Sequence, residues 1–160
     1  MNATAYNDCV RKLSDALYRF ACKCTGDEEA AKDVVQSSFE VLWMKRADIP
    51  EEKAKAFLFQ VAYNQSVTAF RAAARMVGEE VVEEDWHTTS SQPGLKGALD
   101  AALATLDAQS RALVLLKDYE GYSYAEIGQL TELNESQVKV YLFRARKKLQ
   151  AFIGKPENVL

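Results

Sequence analysis

The stretch that decides the fold is "SYAEIGQLTELNESQVKVYLFRARKKL", residues 123–149. Ser123 followed three residues later by Glu126 has the spacing of a capping box, and Asn134 with Gln137 repeats it. Two helices are therefore expected to start eleven residues apart, at about 124–131 and 135–153, with only Glu132-Leu133-Asn134 between them. That is the layout of a helix-turn-helix, in which the first helix braces the second against a DNA major groove. Ile127, Leu130, Leu133, Val138, Leu142, Ala145 and Leu149 recur at helical spacing and are expected to bury between the helices. The opposite face carries Ser136, Val140, Phe143 and Lys147, flanked by Gln137, Lys139 and Arg144. Those are the side-chain types that reach base edges and phosphates.

Charge supports that reading. The 160-residue chain has a formal net charge of −3, yet residues 134–150 hold five Lys or Arg against one Glu. Phosphate attraction acts over about 10 Å at moderate salt, so a local cationic face can serve an acidic protein. An isolated basic helix usually just keeps a domain soluble or docks on an acidic partner. The caps and the short turn favour DNA. An exposed Phe143 among cations also calls for a cover such as a thymine methyl or a sugar.

Upstream, the apolar spacing stays helical, with residues three and four apart, and the chain reads as all-α. Helices are expected at 6–23, from the Thr25/Glu28 capping box to a stop near Asp48-Ile49-Pro50, at 54–75, at 98–105 and, capped by Asp107, at 108–119. Between the third and fourth, "VGEEVVEEDWHTTSSQPGLKG" (77–97) combines five acids with Ser, Thr, Pro and Gly and lacks periodicity, which marks a flexible linker. Two small helical domains follow, 1–76 and 98–155, joined by the acidic linker 77–97.

A second basic segment, 55–76, contains no acidic residue and is rich in rings. Phe59, Tyr63 and Phe70 with Asn64 and Arg71 could stack unpaired bases, which is worth about 1–3 kcal/mol per base. The competing reading is an aromatic core stripe. Other chemistries fare poorly. Cys9, Cys22 and Cys24 make an odd number without a framework spacing, and the single His87 lies in the linker. No metal, no cofactor and no catalytic constellation is expected. No apolar run is long enough to span a membrane, and no basic n-region leads into an apolar one, so the expected location is cytoplasmic.

Three segments in order resemble the extracytoplasmic-function (ECF) group of bacterial RNA polymerase sigma factors, across nearly the whole chain. "GDEEAAKDVVQSSFEVLW" (26–43) resembles that group's polymerase-binding helix, which implies contacts from Asp33, Gln36, Phe39, Leu42 and Trp43. "AFLFQVAYNQSVTAFR" (56–71) is similar to its promoter-melting helix and implies single-strand contacts at the minus-ten element from Phe59, Tyr63, Asn64 and Arg71. Residues 106–149 resemble its helix-turn-helix, which implies that Ser136, Gln137, Lys139, Val140, Phe143, Arg144 and Lys147 read the minus-35 duplex. Gly128 stands where the pattern has Ala, and Glu132 where it has a small residue.

The resemblance implies a sigma factor that directs core RNA polymerase to promoter DNA, restrained by an anti-sigma factor, with no enzymatic activity of its own. A flipped base captured near residues 47–56 and Asn64 would drive opening. The acidic linker is expected either to enter the polymerase cleft or to act as a solvated tether. The alternative is a stand-alone helix-turn-helix regulator whose N-terminal lobe senses a ligand or dimerises.

Overall fold

The structure is a computed structural model that describes residues 1–77 and 95–154, with the side chains of 70–77 and 95–96 outside the description. Among the described residues there are helices and no strand: α1 (Ala3–Thr25), α2 (Glu28–Met44), a 3-10 turn (Glu51–Lys53), α3 (Ala54–Val77), α4 (Leu95–Ala104), α5 (Ala108–Val114) continuing as a π-helical segment (Leu115–Tyr119), α6 (Tyr124–Thr131) and α7 (Glu135–Ile153). They fall into two compact units, Met1–Ala69 and Phe70–Leu160. The expected linker and His87 lie almost wholly outside the described residues, but Leu95, Lys96 and Gly97 belong to α4.

The N-terminal unit packs α1 against α2, with α3 completing the core. Leu17 and Phe20 of α1, Val34, Phe39 and Leu42 of α2, and Leu58, Phe59 and Ala62 of α3 are buried. Phe20 meets Phe59 edge-on, ring centroids 5.3 Å apart, an arrangement the ring quadrupoles favour. The Gln65 amide donates to Ser37 Oγ at 2.9 Å, tying α3 to α2. α2 starts later than its expected capping box. Asp27, not Thr25, is the N-cap, accepting from the Glu29 N–H, because Gly26 takes the left-handed conformation (φ 75°) and ends α1 first. Thr25 is instead buried, its hydroxyl donating to the Ala21 carbonyl at 2.8 Å. α2 also ends at Met44, and the chain turns through 45–48 before Pro50.

In the C-terminal unit α5 is the central helix. Arg111 through Leu116 are six consecutive buried residues, which only an element surrounded on every side can show. Arg111 itself is fully buried. Its Nε and one terminal nitrogen donate to the carbonyls of Leu103 (3.0 Å), at the negative end of α4, and Leu106 (2.8 Å), in the turn that follows it. The helix expected at 108–119 changes register after Val114. The Glu120 N–H bonds Leu115 O, five residues back, and Gly121 (φ 78°) closes the turn.

Cys9 and Cys24 are buried and Cys22 half-buried, and none of the three is in a disulfide. Burial pushes the Cys9 and Cys22 thiols up from their ordinary pKa, so they stay protonated near neutral pH. No helix among the described residues is long and apolar enough to cross a membrane, and no group of metal-ligating side chains gathers there.

Candidate nucleic-acid interface

Both capping boxes close at the helix-turn-helix. Ser123 Oγ accepts from the Glu126 N–H (3.1 Å) while the Glu126 carboxylate accepts from the Ser123 N–H (2.8 Å). Asn134 and Gln137 do the same at 2.8 and 3.0 Å. The turn between them is tight. Glu132 adopts φ 60°, and the N–H groups of Glu132 and Leu133 both reach the Gly128 carbonyl. A Cβ on Gly128 would lie 2.7 Å from the Leu133 carbonyl oxygen, so glycine at 128 is a packing requirement of this turn.

The seam behind α7 is apolar. Ile127, Leu130, Val138, Leu142 and Ala145 are buried, and Leu133 and Leu149 half-buried. Since α7 hides that stripe, its remaining face turns outward. Ser136, Gln137, Lys139, Val140, Phe143, Arg144 and Lys147 are all exposed, Val140 by 44% and Phe143 by 62%. The Lys147 ammonium lies 5.1 Å from the Phe143 ring centroid, and Lys139 pairs with Glu135 at 3.7 Å. Arg146, on the flank, is committed to Asp118 at 2.7 Å. That hydrogen bond, aided by one to Tyr124, raises its pKa above the ordinary value. The result is a cationic surface one helix wide with an uncovered ring and an uncovered valine, able to take phosphates at its margins and apolar base edges at its centre.

The N-terminal unit divides its expected contact residues differently. On α2, Asp33, Gln36 and Trp43 are exposed, but Phe39 and Leu42 belong to the core: Phe39 is 7% and Leu42 0% exposed. Positions 39 and 42 lie on the stripe with Ala31 and Val34 that packs inward, so the family pattern there preserves the fold. The outward face is completed by Glu40 and by Met44, 80% exposed, which sequence reasoning did not single out because the family pattern quoted for this helix ends at Trp43. Trp43 is held in place by Tyr6, edge-on at 4.9 Å, and by the Arg46 guanidinium 3.7 Å from its ring centroid.

On α3 the expected stacking platform is corrected. Phe59 (0% exposed) and Tyr63 (5%) are core residues. They fall in register with Leu58, Ala62, Ser66 and Val67, and burying two rings yields far more free energy than holding them in water. Asn64 is exposed, and Arg71 lies outside the residues whose side chains are described.

Comparison with known proteins agrees with this geometry. The description "Sigma-70 region 2" matches residues 9–76 and "Sigma-70, region 4" matches residues 96–149. The ECF RNA polymerase sigma factor SigL of Mycobacterium tuberculosis is 32% identical over 84% of this chain and 80% of its own length. SigM of Bacillus subtilis is 25% identical over 89% of this chain and 91% of its own. SigE of Mycolicibacterium smegmatis is 26% identical over 94% of this chain, which spans only 62% of that relative's length. Among solved structures, CnrH in complex with the cytosolic domain of CnrY matches with a TM-score of 0.73 at 26% identity, covering 97% of this chain and 91% of that one. The sigma factor RpoE bound to the anti-sigma factor NepR, from Bartonella quintana, shares the fold at a TM-score of 0.76 and 21% identity, covering 94% and 98%. With two sigma regions in order and a relative of the ECF group 32% identical over 84% of the chain, the chain belongs to the ECF group of RNA polymerase sigma factors.

Proposed function

We propose that this chain directs core RNA polymerase to promoter DNA, with α7 reading the upstream element as duplex and the N-terminal unit holding the polymerase and the opened strand. One observation carries the reading: Val140 and Phe143 stand exposed among Lys139, Arg144 and Lys147 on the side of α7 opposite its buried seam. The chain makes and breaks no bonds in this account. Its contribution is selective binding, in the cytoplasm where polymerase and DNA are.

Asp33, Gln36 and Trp43, with Glu40 and Met44, form the proposed polymerase face of α2. Asn64 and the connection around 47–56 are the proposed capture point for an unpaired base; with Phe59 and Tyr63 in the core, stacking there falls to other groups. For the acidic linker 77–97 both roles stand as proposals, entry into the polymerase cleft and a tether between the domains. The proposed functional division is into domains 1–76 and 98–155, joined by the linker 77–97. An anti-sigma factor is the expected restraint, since two relatives of known structure are bound to such partners or to a cytosolic domain.

The test is reconstitution with core polymerase followed by sequencing of transcript starts. Discrete starts that require the chain support the reading. A free chain that shifts the same duplex in a gel without polymerase would favour a stand-alone regulator instead.

A further inference from the structure

The cap that starts α7 also decides how one of its outward side chains is presented. Gln137 stands at the third position of the helix, exposed, with Arg144 nearly in line with it two turns further on. Its amide is not free to turn. The Asn134 N–H donates to Gln137 Oε1 at 3.0 Å, and an N–H is met by the oxygen of an amide, never by its NH2, so this partner assigns the two ends. Asn134 Oδ1 in return accepts the Gln137 N–H at 2.8 Å, which closes the box and folds the side chain back towards the helix start. Nε2 is the outward end, with both its hydrogens and no acceptor among the described residues.

Glutamine ordinarily reads adenine with a fork, in which Oε1 accepts from the N6 amino group while Nε2 donates to N7. That fork needs both atoms side by side at the base edge. Here Oε1 is already engaged by the backbone of its own helix, so forming the fork would open the capping box. Donation from Nε2 alone leaves the box closed, and the cap therefore favours it. Guanine offers that donor two neighbouring acceptors, O6 and N7, and thymine offers O4. Adenine sets its own amino donor beside N7, facing the Nε2 hydrogens.

We propose that Gln137 is a specificity-determining residue that only donates, selecting guanine or thymine over adenine at one base pair of the upstream duplex. The proposal rests on the reading of α7 as the recognition helix and supplies the chemistry of one of its contacts.

The test is transcription by the reconstituted holoenzyme from a barcoded library, built on a promoter found by transcript-start sequencing and randomised across the upstream element. Gln137→Met keeps the length of the side chain without its polar head, and the base pair whose preference it flattens is the one Gln137 reads. The wild-type chain is expected to favour guanine or thymine there by about tenfold over adenine. Gln137→Glu preserves the box, since glutamate caps as glutamine does, but turns an acceptor outward in place of the donor. Its preference at that position is expected to pass to cytosine, whose N4 amino group donates, with thermal stability retained. A purely capping role would leave the preference of Gln137→Glu as in the wild-type chain, and that result overturns the proposal. So does a wild-type preference for adenine at that position, or a Gln137→Met selection identical to the wild-type one. Should Gln137→Glu yield no transcripts, Gln137→Lys decides, since its head can only donate: retained selection of guanine or thymine supports the proposal, and its loss overturns it. Phe143→Ala keeps the two readings apart. If it too leaves the selected element unchanged, the recognition-helix reading fails, whereas a change with Phe143→Ala alone removes only the role of Gln137.

Discussion

Phe59 and Phe143 carry the same side chain, yet one is fully buried and the other 62% exposed, and helix register decides between them. Phe59 follows Leu58 and precedes Ala62 on the stripe that α3 packs against Phe20, so its ring is part of the core. Phe59→Ala is therefore expected to destabilise the N-terminal unit by about 3–5 kcal/mol, read by chemical denaturation. Unchanged stability with a selective loss of strand opening would return Phe59 to the nucleic-acid surface. Phe143 sits on α7 one residue past Leu142, which faces the opposite way into the seam. No packing role explains its exposure.

At the scale of elements, short-range chemistry was legible in the sequence. The Ser123/Glu126 and Asn134/Gln137 boxes, the Asp107 cap and the seam of α6 and α7 all stand where spacing put them. What spacing could not settle was competition between neighbours. Thr25 and Asp27 both offer cap chemistry, and the left-handed Gly26 gave the cap to Asp27. The rings of α3 fit a stacking platform and a core stripe equally well until a partner helix was present. Arg111 and the π-helical segment had no local signal, because each answers to contacts made by other elements.

Two predictions belong to these elements. Gly128→Ala gains about 1 kcal/mol of helix propensity but places a Cβ 2.7 Å from a backbone oxygen, and such overpacking costs about 1–3 kcal/mol. A net loss of stability is expected in thermal melts, and a net gain would show that the turn yields easily. Arg111→Met removes two hydrogen bonds from buried carbonyls while keeping much of the volume. A loss of about 2–4 kcal/mol is expected in denaturant titrations, because each stranded acceptor costs about 1–3 kcal/mol. A neutral result would mean that the buried cation was offset only by its own desolvation.

At the scale of the whole molecule, segregation of charge lets a chain of net charge −3 present a cationic face to a polyanion. The proposed division of labour between the domains makes them separable in assay. Asn64→Ala is expected to leave holoenzyme binding to the upstream duplex intact while slowing promoter opening, followed by permanganate reactivity of unpaired thymines. Equal loss of both would show that Asn64 does not act at the opened strand.

The central claim is that the outward face of α7 selects the promoter. Reconstituting core polymerase with the wild-type chain and with the Phe143→Ala, Arg144→Ala double variant, then sequencing transcript starts, tests it most directly. Discrete starts sharing an upstream duplex element, lost in the variant although it still binds polymerase, are the predicted result. Identical starts at equal yield from both proteins would contradict it.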